Sequence, residues 1–183
     1  NATVGEHRYE SVMDAATGLL GEVSRVVNDP ATQYIVMGGW CPYLLNQRKD
    51  VAHPGTKDVD LLFKRGDETG TLQRVIRELV AAGYYVSAKH PFQLLRGLRV
   101  KDMTLWFNVD LMHPAERGDR AEFVDHFELD IPESSILEGV VRLKSIGVPD
   151  SGCLFYGHWT EARVECVLPD GTQDTATFPL VNA

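Results

Sequence analysis

Asp58 and Asp60 are the residues whose type and spacing best fit a chemical role. They lead into the apolar run at residues 61–63, which is typical of a buried strand. Residues i and i+2 of a strand point to the same face, so both carboxylates can project from one side. Two carboxylates held that close need a neutralising partner. In a site that also holds phosphates this partner is a hard divalent cation, Mg²⁺ above all, with Mn²⁺ as a substitute.

A third carboxylate, Asp110, ends a later apolar stretch. From residue 103 onward the sequence alternates, with Leu105, Phe107 and Val109 on one face and Trp106 and Asp110 among the residues on the other. If this strand lies beside the one that carries Asp58 and Asp60, the three carboxylates form one cluster. Asp58 and Asp60 would then ligate metal, and Asp110 would be a third ligand or accept the proton of an attacking hydroxyl.

Gly38 and Gly39 follow a short apolar run at residues 34–37 that predicts a buried strand. A glycine pair at the start of a helix lets the backbone approach phosphate closely, and its N–H groups can donate to phosphate oxygens. Metal ligands and backbone donors together are what in-line attack on an α-phosphate requires.

With Gly38-Gly39, Asp58-x-Asp60 and Asp110, the chain resembles the nucleotidyltransferase superfamily, whose fold is that of the catalytic domain of DNA polymerase beta. The resemblance covers roughly residues 34–113. It is similar in particular to the AbiEii-type nucleotidyltransferases of toxin–antitoxin systems and to the lincosamide and aminoglycoside 2″-nucleotidyltransferases, which also place a Trp after the glycines, as Trp40 is here.

This resemblance implies transfer of an NMP from an NTP to a hydroxyl group, either of a small molecule such as an antibiotic or of a tRNA end. In the toxin branch it also implies an antitoxin partner. The alternative interpretation is a catalytically silent nucleotide-binding or interaction module with a relict acidic site. Turnover with metal and NTP would separate the two.

Two departures from the family pattern stand out. Many members have a Ser after the glycines that touches phosphate; with Trp40 in that place, phosphate contacts must come from the backbone, Thr56 or Lys57. Relatives also carry a helical C-terminal region with a Lys-Asp motif that this sequence lacks. Either the chain is a piece of a longer protein or it is a reduced member of the family.

Composition narrows the class of protein. The 183 residues fit one domain, 24% of them are charged, and the net charge of −8 disfavours binding of nucleic-acid polymers over most of the surface. The three cysteines indicate a reducing compartment, hence a cytoplasmic protein. No secretory signal or membrane-spanning run is evident, so no membrane partner is expected.

The elements predict an α+β class: a short mixed sheet with helices on one face and extra C-terminal strands. The core spans about residues 30–115 and a β-rich extension about 130–183. Helices are predicted at residues 6–27, 40–47 and 69–82, the last ended by Gly83. Strands are predicted at residues 34–37, 58–63, 84–86, 92–98 and 103–111, and in the extension within 135–146 and at 154–159, 162–168 and 175–179.

Several other residues have a structural and a functional interpretation. We expect Trp40 to pack on the sheet rather than stack on a base, and His53 and His113 to be structural. Lys57 fits a surface pair and a phosphate contact equally well. Arg96 and Arg99 could face either the cleft or solvent. A zinc site at Cys153, His158 and Cys166 is rejected, because the spacing fits no ligand pattern.

Overall fold

The computed structural model describes residues 5–28, 32–45, 56–64, 71–115, 122–128, 140–157 and 159–181. Three α-helices and one 3-10 helix lie within these ranges: α1 (Val12–Val27), α2 (Trp40–Leu45), α3 (Thr71–Ala81) and the 3-10 helix at Ser151–Tyr156. The strands in the same ranges are β1 (Arg8–Tyr9), β2 (Tyr34–Met37), β3 (Asp58–Phe63), β4 (Tyr85–Val86), β5 (Gln93–Val100), β6 (Met103–Ala115), β7 (Glu122–Glu128), β8 (Val140–Pro149), β9 (Trp159–Val167) and β10 (Gln173–Val181).

Eight strands form one mixed sheet, and β9 and β10 form a separate antiparallel hairpin. The central path runs β1–β5–β6–β3–β2, with β4 beside β5. β3 is parallel to β6, whereas β2 is antiparallel to β3 and β5 is antiparallel to β6. β6 extends past the start of β5, and its last four residues pair with β8, which also pairs with β7. The chain is therefore an α+β protein with a mixed sheet, as predicted.

The hydrophobic core lies between one face of this sheet and the helices α1 and α3. Alternate residues of the central strands are fully buried there, among them Val59 and Leu61 of β3 and Val109 and Leu111 of β6. The intervening positions point to the opposite face, which carries the aspartates. This alternation in burial follows from the period of two in a strand, and it confirms the two faces predicted for residues 103–110.

Helix α1 begins later than predicted. Ser11 caps it, accepting a hydrogen bond from the Asp14 backbone N–H at 3.0 Å. The preceding residues, Arg8 and Tyr9, pair with β5 as a short strand instead of extending the helix. At the other end, the Asn28 side chain donates to the Thr177 carbonyl oxygen at 2.9 Å and accepts from the Tyr34 hydroxyl at 2.6 Å. One side chain therefore joins α1, β2 and β10.

The C-terminal hairpin packs directly on α1, where two glycines in the helix leave room for it. A Cβ added to Gly18 would lie 2.3 Å from the Val167 carbonyl oxygen and 2.2 Å from the Tyr9 hydroxyl, and one added to Gly21 would lie 2.4 Å from Cys166 Sγ. The turn that closes the hairpin lies between the strands predicted at 162–168 and 175–179 and has Gly171 at φ 88°. Glycine lowers the helix propensity of α1 at these two positions, but it allows the hairpin to pack closely against the helix.

A buried ion pair joins α1 to the sheet. The Arg96 guanidinium of β5 donates from two nitrogens to the Glu22 carboxylate, each at 3.2 Å, and from a third to the Gly83 carbonyl oxygen at 3.3 Å. The guanidinium also lies 5.5 Å from the centre of the Tyr84 ring. Arg96 therefore faces the core, and removing either partner would leave a buried charge.

Other predicted elements differ in detail. Residues 154–156, the first half of the strand predicted at 154–159, belong to the 3-10 helix at Ser151–Tyr156, because apolar content alone does not separate a short strand from a helical turn. In α2, Leu44 is buried and Leu45 is exposed. Gly83 ends α3 with φ 101°, as predicted. None of the helices in the described ranges is long and apolar enough to cross a membrane.

We expect Gly18→Ala to destabilise the protein by about 2–3 kcal/mol or more, because the new methyl group would overlap a backbone oxygen that cannot rotate away. Urea denaturation measures the effect. Helix propensity alone predicts the opposite sign, a gain of about 1 kcal/mol.

Gly152→Ala is the matched control for this measurement. A Cβ there would lie 3.6 Å from Pro114 Cβ, an ordinary van der Waals contact, so its free energy of unfolding should change by less than about 1 kcal/mol. A stabilised Gly18→Ala variant would show that the hairpin does not pack on α1 as described.

Candidate functional site

The register of β3 against β6 brings the three aspartates together. Asp60 lies opposite Asp110, and Asp58 lies opposite Asn108. Side chains at directly opposed positions of neighbouring strands share a face and lie within reach of one another. The neighbouring position on β2 is Met37, which pairs with Asp60 and precedes the glycine turn. The structure thus places Asp58, Asp60 and Asp110 on one face, next to Gly38.

Two amide side chains orient the carboxylates. Asn108 Nδ2 donates to Asp58 Oδ1 at 2.9 Å, and Gln93 Nε2 donates to Asp110 Oδ1 at 2.9 Å. Each amide leaves the second oxygen of its carboxylate available. Such outer-shell hydrogen bonds fix the direction of metal-binding carboxylates in known sites.

Sequence reasoning missed the roles of Asn108 and Gln93. Asn108 could have been recognised, since it stands two residues before Asp110 on the same face of the same strand. Gln93 could not, because its position beside Asp110 depends on the antiparallel register of β5 with β6.

The carboxylates of Asp60 and Asp110 are partly desolvated. Burial is the main cause that raises the pKa of Asp60, and the negative charges of Asp110 and Asp58 raise it further. Burial also raises the pKa of Asp110, against the opposing effects of the Gln93 hydrogen bond and of His90. Both carboxylates are thus costly to ionise in the metal-free fold, first because they are partly buried and then because other aspartates are near, and a cation placed there would offset that cost.

The glycine turn lies against this cluster. Gly38 has φ 71°, a conformation that L side chains rarely adopt, and a Cβ added to it would lie 1.9 Å from Asp60 Oδ2. A Cβ on Gly39 would instead make an ordinary 3.5 Å contact with Thr56. Glycine is therefore required at position 38 both by the positive φ and by the closeness of the Asp60 carboxylate. The turn lies within contact distance of the acidic cluster.

Thr56 and Lys57, the other predicted phosphate ligands, differ in their placement. Thr56 Oγ1 accepts a hydrogen bond from the Asp58 backbone N–H at 3.3 Å, which sets it beside both Gly39 and the first aspartate. The Lys57 carbonyl oxygen accepts from the Asn108 backbone N–H at 2.8 Å, while its side chain is exposed. Thr56 is thus part of the assembled site, and Lys57 lies at its margin.

Trp40 packs in the core, as predicted. Its side chain is fully buried and meets Tyr43 edge to face, with ring centres 5.8 Å apart. The helix that it begins, α2, has only six residues, which is short for a large dipole at its N-terminus. The backbone of the glycine turn therefore remains the principal group that could donate to phosphate.

The donor set suits a hard cation. Carboxylate oxygens are the ligands that Mg²⁺ and Mn²⁺ prefer. However, no group of three or more His, Cys, Asp or Glu side chains in the described part of the chain is already arranged to hold a metal ion. Coordination by all three aspartates therefore requires some of their side chains to rotate while the backbone register stays fixed.

Several other residues that the sequence singled out do not belong to this cluster. His113 is buried on the core face of β6, with Nδ1 2.8 Å from Ser145 Oγ, which is a structural position. Cys41, Cys153 and Cys166 are all free thiols. His53 and His158 lie outside the described residues. Arg99, unlike Arg96, is exposed.

Comparison of the chain with models of known protein families, with curated proteins and with solved structures finds no significant match.

We expect Asp60→Asn to raise the stability of the metal-free protein at neutral pH. A raised pKa means that the folded state holds the Asp60 proton more tightly than the unfolded state, so wild-type stability falls as the pH rises from the ordinary aspartate range near 3.8 through the raised pKa. Asparagine keeps the shape and removes the charge. Urea denaturation in EDTA at pH 7 and pH 4 measures the gain, which should shrink at the lower pH.

Asp150→Asn is the control, since Asp150 is exposed and has φ 60°, which asparagine tolerates. Its effect should be within about 0.5 kcal/mol at both pH values. If Asp60→Asn were instead destabilising at pH 7, the carboxylate would be stabilised in the fold rather than crowded.

Proposed function

We propose that the protein is a Mg²⁺-dependent nucleotidyltransferase that moves an NMP from an NTP to an acceptor hydroxyl and releases pyrophosphate. One observation carries this proposal: Asp58 and Asp60 lie in register with Asn108 and Asp110, directly beside the Gly38 turn. A carboxylate cluster flanked by an open backbone turn can hold a metal and a phosphate chain at the same time.

The three aspartates would hold the metal, Asp58 and Asp60 from β3 and Asp110 from β6. When bound, Mg²⁺ neutralises the phosphate oxyanions and polarises the reacting phosphoryl group. The partly buried position of Asp60 and Asp110 supports this assignment, because burial, and after it the charge of nearby aspartates, makes these carboxylates costly to ionise, and a bound cation offsets that cost.

The remaining steps rest on the chain's own groups. Backbone N–H groups of Gly38 and Gly39 donate to the β- and γ-phosphates, and the Thr56 hydroxyl is near enough to assist. Asp110 accepts the proton as the acceptor oxygen forms its bond to the α-phosphorus. The bond from that phosphorus to the bridging oxygen breaks, and pyrophosphate leaves on the side of the glycines. The products are the nucleotidylated acceptor, pyrophosphate and one proton.

We further propose that the sheet is a reduced form of the nucleotidyltransferase fold. The mixed order β5–β6–β3–β2, with acids on β3 and β6 and glycines after β2, supports this assignment. The same resemblance leads us to propose a cytoplasmic location, an antitoxin partner, and an acceptor that is either a small molecule or an RNA end.

Binding of ATP or GTP should depend on Mg²⁺ and on the aspartates. We expect isothermal titration calorimetry to show nucleotide binding with Mg²⁺ or Mn²⁺ and its loss in EDTA. The Asp58→Asn, Asp60→Asn double variant, which keeps shape but removes two charges, should lose at least about tenfold in affinity, or 1.4 kcal/mol.

Asp150→Asn again serves as a control and should bind like wild type. Equal nucleotide affinity in EDTA would contradict the proposal. Metal-dependent binding without transfer to any acceptor would favour the silent nucleotide-binding module.

Gly38→Ala and Gly39→Ala form a matched pair that tests the turn. Alanine at position 38 would meet the Asp60 carboxylate and an unfavourable φ, whereas alanine at position 39 would make an ordinary contact. We expect Mg²⁺-dependent nucleotide affinity to fall at least tenfold in Gly38→Ala and much less in Gly39→Ala, in proteins shown by circular dichroism to be folded. Equal effects would argue against a specific role for Gly38.

A further inference from the structure

A cavity lies at the opposite end of β3 from the aspartates. Its volume is about 600 Å³, which is within the range of small-molecule sites. Lys64, which follows β3 directly, lines this cavity, six residues after Asp58. At about 3.3 Å per residue, the Cα atoms of Lys64 and Asp58 are roughly 20 Å apart along the strand. The cavity is therefore separate from the candidate site at the aspartates.

Several elements that are distant in the chain converge on this cavity. Its wall includes residues from β2, the 3-10 helix, β9 and β10, namely Tyr34, Phe155, Tyr156, Trp159 and Pro179. Asn28, at the end of α1, also lines it, and its side chain joins the Tyr34 hydroxyl to the Thr177 carbonyl oxygen. Because packed elements rather than a single loop supply the wall, the cavity is largely preformed, as most small-molecule sites are.

The wall is mainly aromatic. The rings of Phe155 and Trp159 have centres 5.9 Å apart and planes inclined by 51°. Trp159 is 39% exposed and Tyr156 is 83% exposed. Single exposed aromatic residues are common, but rings gathered around one cavity offer faces and edges against which a planar group can pack. A planar aromatic group is therefore the part of a ligand that this wall would hold.

Lys64 supplies the charge of the cavity. Its backbone N–H donates to the Gln33 carbonyl oxygen at 2.9 Å, which continues the pairing of β2 with β3 by one step. Its ammonium nitrogen lies 5.9 Å from the centre of the Tyr156 ring. Lys64 is the only charged residue among the described residues that line the cavity, and within the described ranges it forms no ion pair. Glu161 of β9 is paired with Arg163 instead, so this ammonium group can bind an anionic ligand.

A buried hydroxyl also belongs to a residue that lines the cavity. Thr32 Oγ1 is buried and, within the described ranges, has no hydrogen-bond partner. Buried polar atoms are rarely left unpaired in folded proteins, and an oxygen atom of a ligand would satisfy this one. One ammonium and one hydroxyl match one carboxylate, whereas a phosphate group would bring about two negative charges to a single cation.

We propose that this cavity is a second ligand site and that it takes a small aromatic monocarboxylate. The ring of the ligand packs against Trp159 and Tyr156, and its carboxylate lies at Lys64 and Thr32. Binding is non-covalent and needs no metal. The site goes beyond the proposed function and does not rest on it, because it uses no residue of the aspartate cluster.

Isothermal titration calorimetry with matched acids and amides tests the site. We expect wild type to bind indole-3-acetate or phenylacetate with a Kd below about 1 mM. Indole-3-acetamide and phenylacetamide should bind about fivefold more weakly than the acids, as expected for the loss of one partly exposed ion pair. Lys64→Met, which keeps the aliphatic stem, should remove this preference, and Lys64→Arg should retain it. Trp159→Leu should weaken the binding of acids and amides alike, by about tenfold.

Two results of this titration would overturn the proposal. One is the failure of wild type to bind either acid. The other is an unchanged preference for acid over amide in Lys64→Met, since the carboxylate would then lie elsewhere.

Matched controls lie on other parts of the surface. Trp106 is 47% exposed on the sheet face of the aspartates, with its indole beside Gly97, and Lys89 is exposed after β4. Trp106→Leu and Lys89→Met should leave the affinity for the acids unchanged. If they weakened binding as much as Trp159→Leu and Lys64→Met do, the acids would adsorb non-specifically to exposed rings and the site would be refuted.

Two further measurements separate this cavity from the aspartates and from a dimer interface. Acid binding should be the same in EDTA and in the Asp58→Asn, Asp60→Asn variant; its loss in that variant would place the acid at the aspartates and overturn the second site. The oligomeric state, measured by light scattering, should be the same for wild type and Trp159→Leu. A wild-type dimer that Trp159→Leu dissociates would mean that a second copy covers the cavity, which would also overturn the proposal.

Discussion

The parallel pairing of β3 with β6 is the constraint on which the rest of the site depends. It sets Asp60 opposite Asp110 and Asp58 opposite Asn108. Since side chains alternate with period two, a slip of one residue would turn one row of carboxylates into the core and bring Val59 or Val109 to the surface. The buried faces of both strands oppose that slip. The hydrophobic core thereby holds three acidic groups in a position that their mutual repulsion would not favour.

Helix α1 and its contacts hold the sheet on the face opposite the aspartates. Helix α1 contacts the C-terminal hairpin through Gly18 and Gly21 and is joined to β5 through the Glu22–Arg96 pair. β5 in turn supplies Gln93, which orients Asp110. A buried ion pair and close backbone contact are both intolerant of small displacements. The rigidity of the helical side thus bears on the geometry of a cluster that lies on the opposite face.

Local stability and chemistry oppose one another at the aspartates. Burial and neighbouring charge raise the pKa of Asp60 and Asp110, so their ionised forms reduce the stability of the metal-free fold. Gly38 adds a backbone conformation that few residues adopt, placed against a carboxylate. Such conflicts between local preference and overall fold are commonly concentrated at functional sites. They support the interpretation of this cluster as a site rather than as a solvated edge.

The sequence by itself determined the α+β class, the strands at residues 34–37 and 58–63 and the two faces of residues 103–110, because each depends on a local period. It also predicted the aspartates and glycines as one cluster, through strand spacing and family resemblance. Only the tertiary structure decided the placement of Gln93, the inward direction of Arg96 and the exposed setting of Trp106 beside Gly97. These depend on registers between strands far apart in the chain, and a register is set by the packing of whole faces rather than by any local pattern.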